Sequence, residues 1–387
     1  MKTLIEIHVL QNYAPSNLNR DDTGSPKDAF FGGRRRARIS SQCLKRAVRE
    51  YFKEKSKSNL FDTASIAVRT KRLQDDLIKL LVEKGRDKEE AIGKINLALK
   101  VVKLIVGDDG KTQYLLFLGK KEIESVANAI YEHWDDIVPS VEAEEKTNKK
   151  KKKKGSEADG LPEELKTALE KAFDGGKAVD LALFGRMLAD MPEKNQNAAS
   201  QVAHAISTHA VDREFDFFTA LDDLKPEESA GSDMMGTVEF NSACFYRYAV
   251  VDFEKLVENL HADESLASAG LRTFLEGFVV SEPTGKQNTF AAHNQPDYVL
   301  VSIKRNSFPS NCANAFEVPV RVKGDDSLTK ESTKKLVNKM QKLIDVYGNA
   351  GKSFYFDLVD VGVGIGEKSV SLQQLLDKVI AEVEKGR

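Results

Sequence analysis

Cysteine is scarce in this chain. Its 387 residues include three, Cys43, Cys244 and Cys312. The number is odd, the positions are far apart and no CxxC pair occurs. That argues against a disulfide framework or a zinc site and fits a reducing cytoplasm. Long apolar runs are missing as well: no stretch approaches the roughly 20 residues that cross a bilayer. The opening MKTLIEIHVLQNY holds Glu6 and His8 inside its apolar run and reads as a strand, not a signal peptide. Catalytic signatures are equally thin. Gly362–Ser369 has the outline of a phosphate loop, but Glu367 stands where that loop needs glycine, and too little chain follows for a nucleotide-binding core. His204 and His209 are five apart, which misses the spacing of a metal-binding helix, so they read as packed or hydrogen-bonded structural histidines. No Ser/His/Asp or Cys/His pairing stands out.

What the chain does have is a local excess of cations. From Lys27 to Lys57 there are 11 Lys and Arg against 3 Asp and Glu, a charge of +8 in a chain whose total is −2. Everything outside that window therefore carries −10. Such concentration predicts a polyanion at that spot. The run NRDDTGSPKDAFFGGRRRARISSQCLKRAVR passes from an acidic turn through Gly32-Gly33 to the arginines and into a helix. Ser40 or Ser41 can cap that helix. Leu44, Ala47, Val48 and Tyr51 give it an apolar stripe. Gln42, Lys45 and Arg49 share another face, beginning at a helix end whose amides and dipole favour phosphate. The glycine pair lets backbone approach a ligand closely. Asp21, Asp22 and Asp28 lie beside this patch. They read as turn and arginine partners, with a magnesium-dependent ribonuclease as the competing possibility.

Along the chain, Thr3 to Leu10 alternates as a half-buried strand with Glu6 and His8 on its polar face. Asn12 to Gly33 reads as a loop. From about Ile66 to Phe173 the pattern is helical, with Leu73, Leu77, Leu80 and Leu81 forming one stripe and Val126, Ala129, Ile130 and His133 another. Lys149–Lys154 reads as a solvated loop between helices. Ala198–His209 reads as a short helix. Val211–Thr219 and Thr237–Val251 read as strands of a long hairpin, with Phe217 and Phe218 pointing to opposite faces near its tip. One of them belongs to a core and the other to a stacking platform for a base, unless both are core. Helices are expected over Phe253–Leu260, Ala267–Val280, Leu328–Tyr347 and Val370–Val383, a strand over Tyr298–Ile303, and a loop at Pro283–Gln287 where Lys286 can reach a phosphate.

The NLNRDD, KDAFFGGRRRARISSQ and LKRAVR blocks, followed in order by HAISTHAVD, FFTALDDL, FYRYAVV and ANAFE, resemble the backbone subunit of the type I-E CRISPR Cascade complex, the CasC family. The resemblance implies an α+β fold: an RNA-recognition-motif-like (ferredoxin-like) palm with a helical fingers insertion and a β-hairpin thumb. Mapped on this chain, the palm takes 1–60, 179–210 and 251–387, the fingers 61–178 and the thumb 211–250. It implies a non-catalytic subunit that binds CRISPR RNA (crRNA) and polymerises along the guide spacer with further copies of itself in a helical filament. The exposed guide then pairs with target DNA, so base pairing reads the sequence while protein grips the backbone. Other implied partners are the large, small, 5′-handle-binding and crRNA-processing Cascade subunits; no cofactor or membrane is implied. Carried onto matching positions, Arg20, Lys27, Arg34, Arg35, Ser40, Gln42, Lys45, Arg46, Arg49 and Lys286 hold guide phosphates. Met187 and Phe217-Phe218-Thr219 frame a displaced nucleotide. Many relatives have Trp where this chain has Phe217, a smaller ring that stacks less area. Backbone subunits of type III complexes instead cut RNA with a loop aspartate, which keeps the ribonuclease alternative in view beside a stand-alone RNA-binding regulator.

Overall fold

In the computed structural model, residues 2–57, 63–138, 161–220, 234–348, 350–362 and 364–385 are described. The Lys149–Lys154 run lies outside them. The chain divides into two compact units: residues 1–52, 200–254 and 268–387 form the first, and 53–199 with 255–267 the second. Residues 53–57, 179–199 and 255–267, which the resemblance assigns to the palm, fall in the second unit.

The first unit is built on a sheet. Its strands are β1 (Thr3–Ser16), β2 (Asp28–Phe31) and β3 (Arg34–Ile39), then β6 (Ser200–Val202), β7 (Ala205–Ser207), β8 (Glu214–Ala220) and β9 (Met234–Asp252), and last β10 (Tyr298–Arg305), β11 (Lys352–Asp357) and β12 (Glu367–Lys368). They run in the order β12-β11-β10-β1-β9-β7-β3-β2, with β6 and β8 also paired to β9. The centre is antiparallel, with Ile5 opposite both Ile303 and Val251. Its helices are α1 (Ser41–Lys57), α8 (Glu264–Val280), the single turn α9 (Gln287–Phe290), α10 (Leu328–Tyr347) and α11 (Leu372–Glu384). Leu336, Val337 and Met340 of α10 pack with Leu4, Leu10, Tyr246, Tyr248 and Leu300 on one sheet face. On the other face, Arg247 stacks on Phe278 of α8 and donates to its carbonyl, while Arg305 donates to Glu382 of α11.

Strand β1 is therefore covered on both sides, and Glu6 and His8 are buried, not half-exposed as the alternation predicts. Burial of these polar side chains is offset by partners on neighbouring strands. Lys304 of β10 lies 2.5 Å from Glu6 Oε2, Tyr248 donates to Glu6 Oε1 at 2.6 Å, and His8 Nδ1 meets the Tyr246 hydroxyl at 2.8 Å. Burial pushes the Glu6 carboxyl up, but His8, Lys304 and Tyr248 outweigh it and hold it below the usual range. Burial also drives the His8 imidazole down to about 4, against the pull of Glu6 and with that of Lys304. The unfolded chain binds this proton near pH 6.5 and the folded chain only near 4. Stability present above pH 6.5 is thus lost as the pH falls through 4, by up to about 3 kcal/mol. Melting temperatures between pH 7.5 and 4.5 should fall steeply for the native chain and less steeply for His8→Gln. Equal slopes would rule His8 out as the source.

The second unit holds α2 (Leu73–Glu83), α3 (Lys88–Val101), α4 (Lys120–Glu132), α5 (Glu163–Ala172), α6 (Val179–Phe184), most of α7 (Phe253–Asn259) and a two-stranded sheet of β4 (Ala67–Thr70) and β5 (Leu116–Gly119). Leu73, Leu77 and Leu81 are buried with Val126, Ala129 and Ile130 in one core, as the stripes predict, while Leu80 and His133 of those stripes are half-buried and Trp134 joins the core from outside them. The strand pair is not signalled by the sequence pattern. Between the two portions of the second unit, Ala198–His209 is not a helix but mainly the short strands β6 and β7, zipped onto β9 through Ser200↔Val251 and Ile206↔Tyr246.

Candidate nucleic-acid interface

The arginine cluster is a β-hairpin, not a loop. Phe31 faces Arg34 across Gly32-Gly33, whose φ values of 59° and 71° suit a tight hairpin turn. A Cβ on Gly32 would sit 1.9 Å from the Glu317 carbonyl oxygen, so the close approach this glycine permits is to the chain itself. Strand alternation sends the three arginines to different fates. Arg34 is exposed. Arg35 stacks on exposed Phe30 and pairs with Asp28. Arg36 is buried and donates to the carbonyls of Ser207, Phe316 and Glu317. The ANAFE block is thus the acceptor that seats this hairpin.

Two of the three candidate acids have partners in the fold, Asp21 and Asp28. Asp21 accepts from the Thr23 and Ser25 amides and the Thr23 hydroxyl, closing a turn. Asp28 binds Arg213 at 2.8 Å as well as Arg35, and Arg213 also reaches Glu239 at 3.0 Å, which ties the root of β8 to β2. Burial raises the Asp28 carboxyl, yet Arg213 and Arg35 prevail and hold it low. Asp22 is exposed. Among the described residues no group of three or more His, Cys, Asp or Glu is placed to hold a metal.

The stretch from Arg20 to Lys27 is pinned to the start of α1. Asn19 Oδ1 accepts from the Ser40 amide, the Lys27 amide donates to the Asn19 carbonyl, and Arg20 bridges to Pro26. Ser40 is the cap: its hydroxyl accepts from the Cys43 amide at 3.3 Å and the side chain is buried. The helix buries Leu44, Val48 and Phe52, with Ala47 and Tyr51 half-buried. This rotation also buries Arg49, which the sequence reading puts on the open face; it has a partner, and so has half-buried Lys45. Gln42 and Arg46, one turn apart, are exposed. Burial pushes the Cys43 thiol up while Arg46 and Lys27 pull it down, which places both cations around one thiol.

Two further residues join this cluster, Arg38 from the same cationic run and His204, which is hydrogen-bonded as its spacing predicts. Arg38 donates to the Asp28 carbonyl and lies 3.0 Å from His204 Nδ1. Partial burial, then Arg38 and Lys27, lower the His204 imidazole. His209 is structural: its Nε2 accepts from the Cys244 amide and its Nδ1 donates to the Ala210 carbonyl. Lys286 reaches the same region from the far end of the sequence. A Cβ on Gly285 would lie 2.3 Å from the Leu18 carbonyl, so the Lys286 loop rests on the stretch leading to Arg20.

Strands β8 and β9 extend past the sheet as a two-stranded arm, and residues 221–233 between them are outside the described residues. Phe217 and Phe218 do not divide into core and surface: both are exposed, as is Thr219. Phe215, Phe217 and Met235 stand on one face at 63–67% exposure, and Phe218 on the other lies over Gly236, its direct cross-strand partner. Met187 belongs to the second unit and is 78% exposed.

These features coincide with the sequence blocks of one protein family. The chain belongs to the CT1975-like family. A family model described as CT1975-like protein matches residues 5–381. Among solved structures, this CT1975-like chain is similar to a chain of a "CRISPR RNA-guided surveillance complex, pre-nicking" at 32% identity and TM-score 0.80, covering 98% of this chain and 99% of that one. A second similar chain, from a "CRISPR RNA-guided surveillance complex", gives 27% identity and TM-score 0.72 over 98% and 99%. Among curated proteins no match is found. The α+β fold with its large mixed sheet is therefore shared by subunits of these complexes. Among the described residues no helix is long and apolar enough to cross a membrane.

Proposed function

We infer that this CT1975-like chain is the non-catalytic crRNA-binding backbone subunit of a type I-E Cascade complex. The first unit acts as an RNA-recognition-motif-like palm, the second as fingers and the β8–β9 arm as thumb. Copies follow one another along the guide spacer in the cytoplasm and present it to target DNA, beside the other Cascade subunits. The observation that carries this reading is the convergence of Lys27, Arg46 and the Lys286 loop near the capped start of α1. Phosphates approaching there meet cations together with a helix N-terminus. Exposed Phe217 and Phe218 supply stacking surface. Both similar structures belong to RNA-guided complexes, which supports the same setting here.

The test is assembly on guide RNAs of increasing length, read by native mass spectrometry and nuclease footprinting. Subunit number should rise in equal steps with spacer length; a single copy with one short footprint would instead establish a stand-alone regulator. With complementary RNA and magnesium the assembled complex should leave the target intact. Regularly spaced cuts abolished by Asp28→Ala would replace the scaffold by a ribonuclease.

A further inference from the structure

The β8–β9 arm and the arginine hairpin of β2 and β3 share one carboxylate. Asp28 Oδ2 accepts from Arg213 Nη2 at 2.8 Å and also from Arg35 Nη1. Arg213 stands immediately before Glu214, the first residue of β8, and its Nη1 donates to Glu239 of β9 at 3.0 Å. One guanidinium thus holds the facing strand of the arm and the hairpin together. The main chain joins the same parts, since the Val211 amide donates to the Arg35 carbonyl at 3.1 Å. Buried Asn17, in the stretch that leads to Arg20, donates to the carbonyls of Glu239 and Gly24.

The bridge through Asp28 is incomplete in a specific way. Two arginines crowd one oxygen, while Asp28 Oδ1 accepts no hydrogen bond among the described residues. Arg213 Nε is buried and has no partner. On a guanidinium the Nε–H lies on the same side as Nη2. A carboxylate that already meets Nη2 therefore closes a two-bond fork by turning its second oxygen to Nε. Arg35 opposes that turn, because it holds the same oxygen and places a second positive charge beside Arg213. Arg35 is also the easier of the two for a ligand to reach, with 41% of its side chain exposed against 29% for Arg213.

We propose that Arg213 is the positioning residue of the arm: a guide phosphate that engages Arg35 frees Asp28 to fork onto Arg213, and the completed bridge fixes how the arm presents Phe217 and Phe218. This rests on the RNA reading above and adds a coupling to it. Guide binding tightens the arm, and by linkage a tightened arm favours the guide. Arg213 acts through Asp28 and Glu239 and meets no phosphate itself.

Hydrogen exchange read by mass spectrometry reports opening of the arm. The informative amides are those of residues 238–240, which face 214–216 across the strand pair. In the full chain without RNA, Arg213→Gln should speed their exchange at least about threefold, because a charge-assisted bridge is lost. Arg35→Gln should slow it by a similar factor, because the competitor is gone and the fork closes. A network that merely adds attractive contacts predicts acceleration in both variants, and that result would overturn the proposal. Guide RNA should slow exchange in the native chain and leave Arg35→Gln where it already stands; equal slowing in both would break the link to Arg35. In assembled complexes Arg213→Gln should blur the regular nuclease footprint at an unchanged log–log salt slope. A slope reduced by about 0.7, one phosphate on a single strand, would make Arg213 an RNA contact instead. Glu239→Gln, read at residues 214–216, removes the other half of the bridge and should reproduce the acceleration should Arg213→Gln fail to fold. If the native chain binds no guide, the RNA reading falls, and the two RNA-free comparisons still decide whether Arg35 and Arg213 compete for Asp28.

Discussion

Replacing Lys27, Arg46 and Lys286 together by alanine should abolish stable assembly on guide RNA while leaving the fold intact. Arg46 is exposed and Lys27 and Lys286 are half-exposed, and the Lys27 and Lys286 backbones, not their ammonium groups, carry the loop hydrogen bonds. If each copy neutralises about three phosphates, the log–log salt slope per copy is roughly −2 for a single strand. Removing three cations should bring it close to zero. The loss compounds along a filament, because each bound copy raises the effective concentration of the next. A tenfold weakening per copy over three neighbours would be about a thousandfold for the assembly. Anisotropy titrations over a salt series measure this directly. Arg49→Ala is the contrasting variant: its side chain is buried, so it should lower the melting temperature and leave the slope unchanged. An unchanged slope in the triple variant would remove this surface from the site. A flattened slope in Arg49→Ala would return that arginine to it.

The contrast between Arg46 and Arg49 shows where sequence reading stops. The apolar spacing correctly predicts a helix after Ser40, but Leu44, Val48 and Phe52 are its fully buried line, and the small rotation this implies turns Arg49 inward. Amphipathic patterns fix a face only to within a residue or so when Ala47 and Tyr51 compete for it. The RRR run hides its structure for a related reason. Arginine has stem and head group enough to serve on either side of a strand, so alternation cannot be read from three identical letters; only pairing with β2 and the acceptors at Phe316 and Glu317 assign the sides. Ala198–His209 reads as helical because its Ala, Ser and His residues say little, while its strand state comes from pairing with β9, distant in sequence. Lys27, Arg46 and Lys286 are legible as cations, the first two inside the family blocks and Lys286 in the later loop. That Lys27 and Arg46 both act on the Cys43 thiol, that the loop before Lys286 rests on Leu18, and that Arg38 meets His204 are tertiary facts.

Breaking the Arg186–Glu122 pair should be the most destabilising single change in the second unit. Arg186 Nη1 lies 2.6 and 2.7 Å from the two Glu122 oxygens, both side chains are buried, and Arg186 also donates to the Phe173 and Lys194 carbonyls. Glu122 in turn accepts from the Gly119 and Gly175 amides, so one carboxylate joins the start of α4 to the turn before α6. Burial pushes this carboxyl up against the opposing pull of Arg186. Removing one member of a buried pair typically costs about 3–5 kcal/mol, because the other stays charged and unpaired. Arg186→Ala should therefore shift urea unfolding of the second unit by that amount. Arg186→Met combined with Glu122→Leu should recover much of the loss, since no lone charge remains. Met187 follows directly on this anchor, so Arg186→Ala should also disturb its presentation and weaken protection of the guide by nuclease footprinting, whereas the paired apolar variant should do so less. A shift below about 1 kcal/mol in Arg186→Ala, the range of an exposed ion pair, would show that the Glu122 charge is relieved by other means.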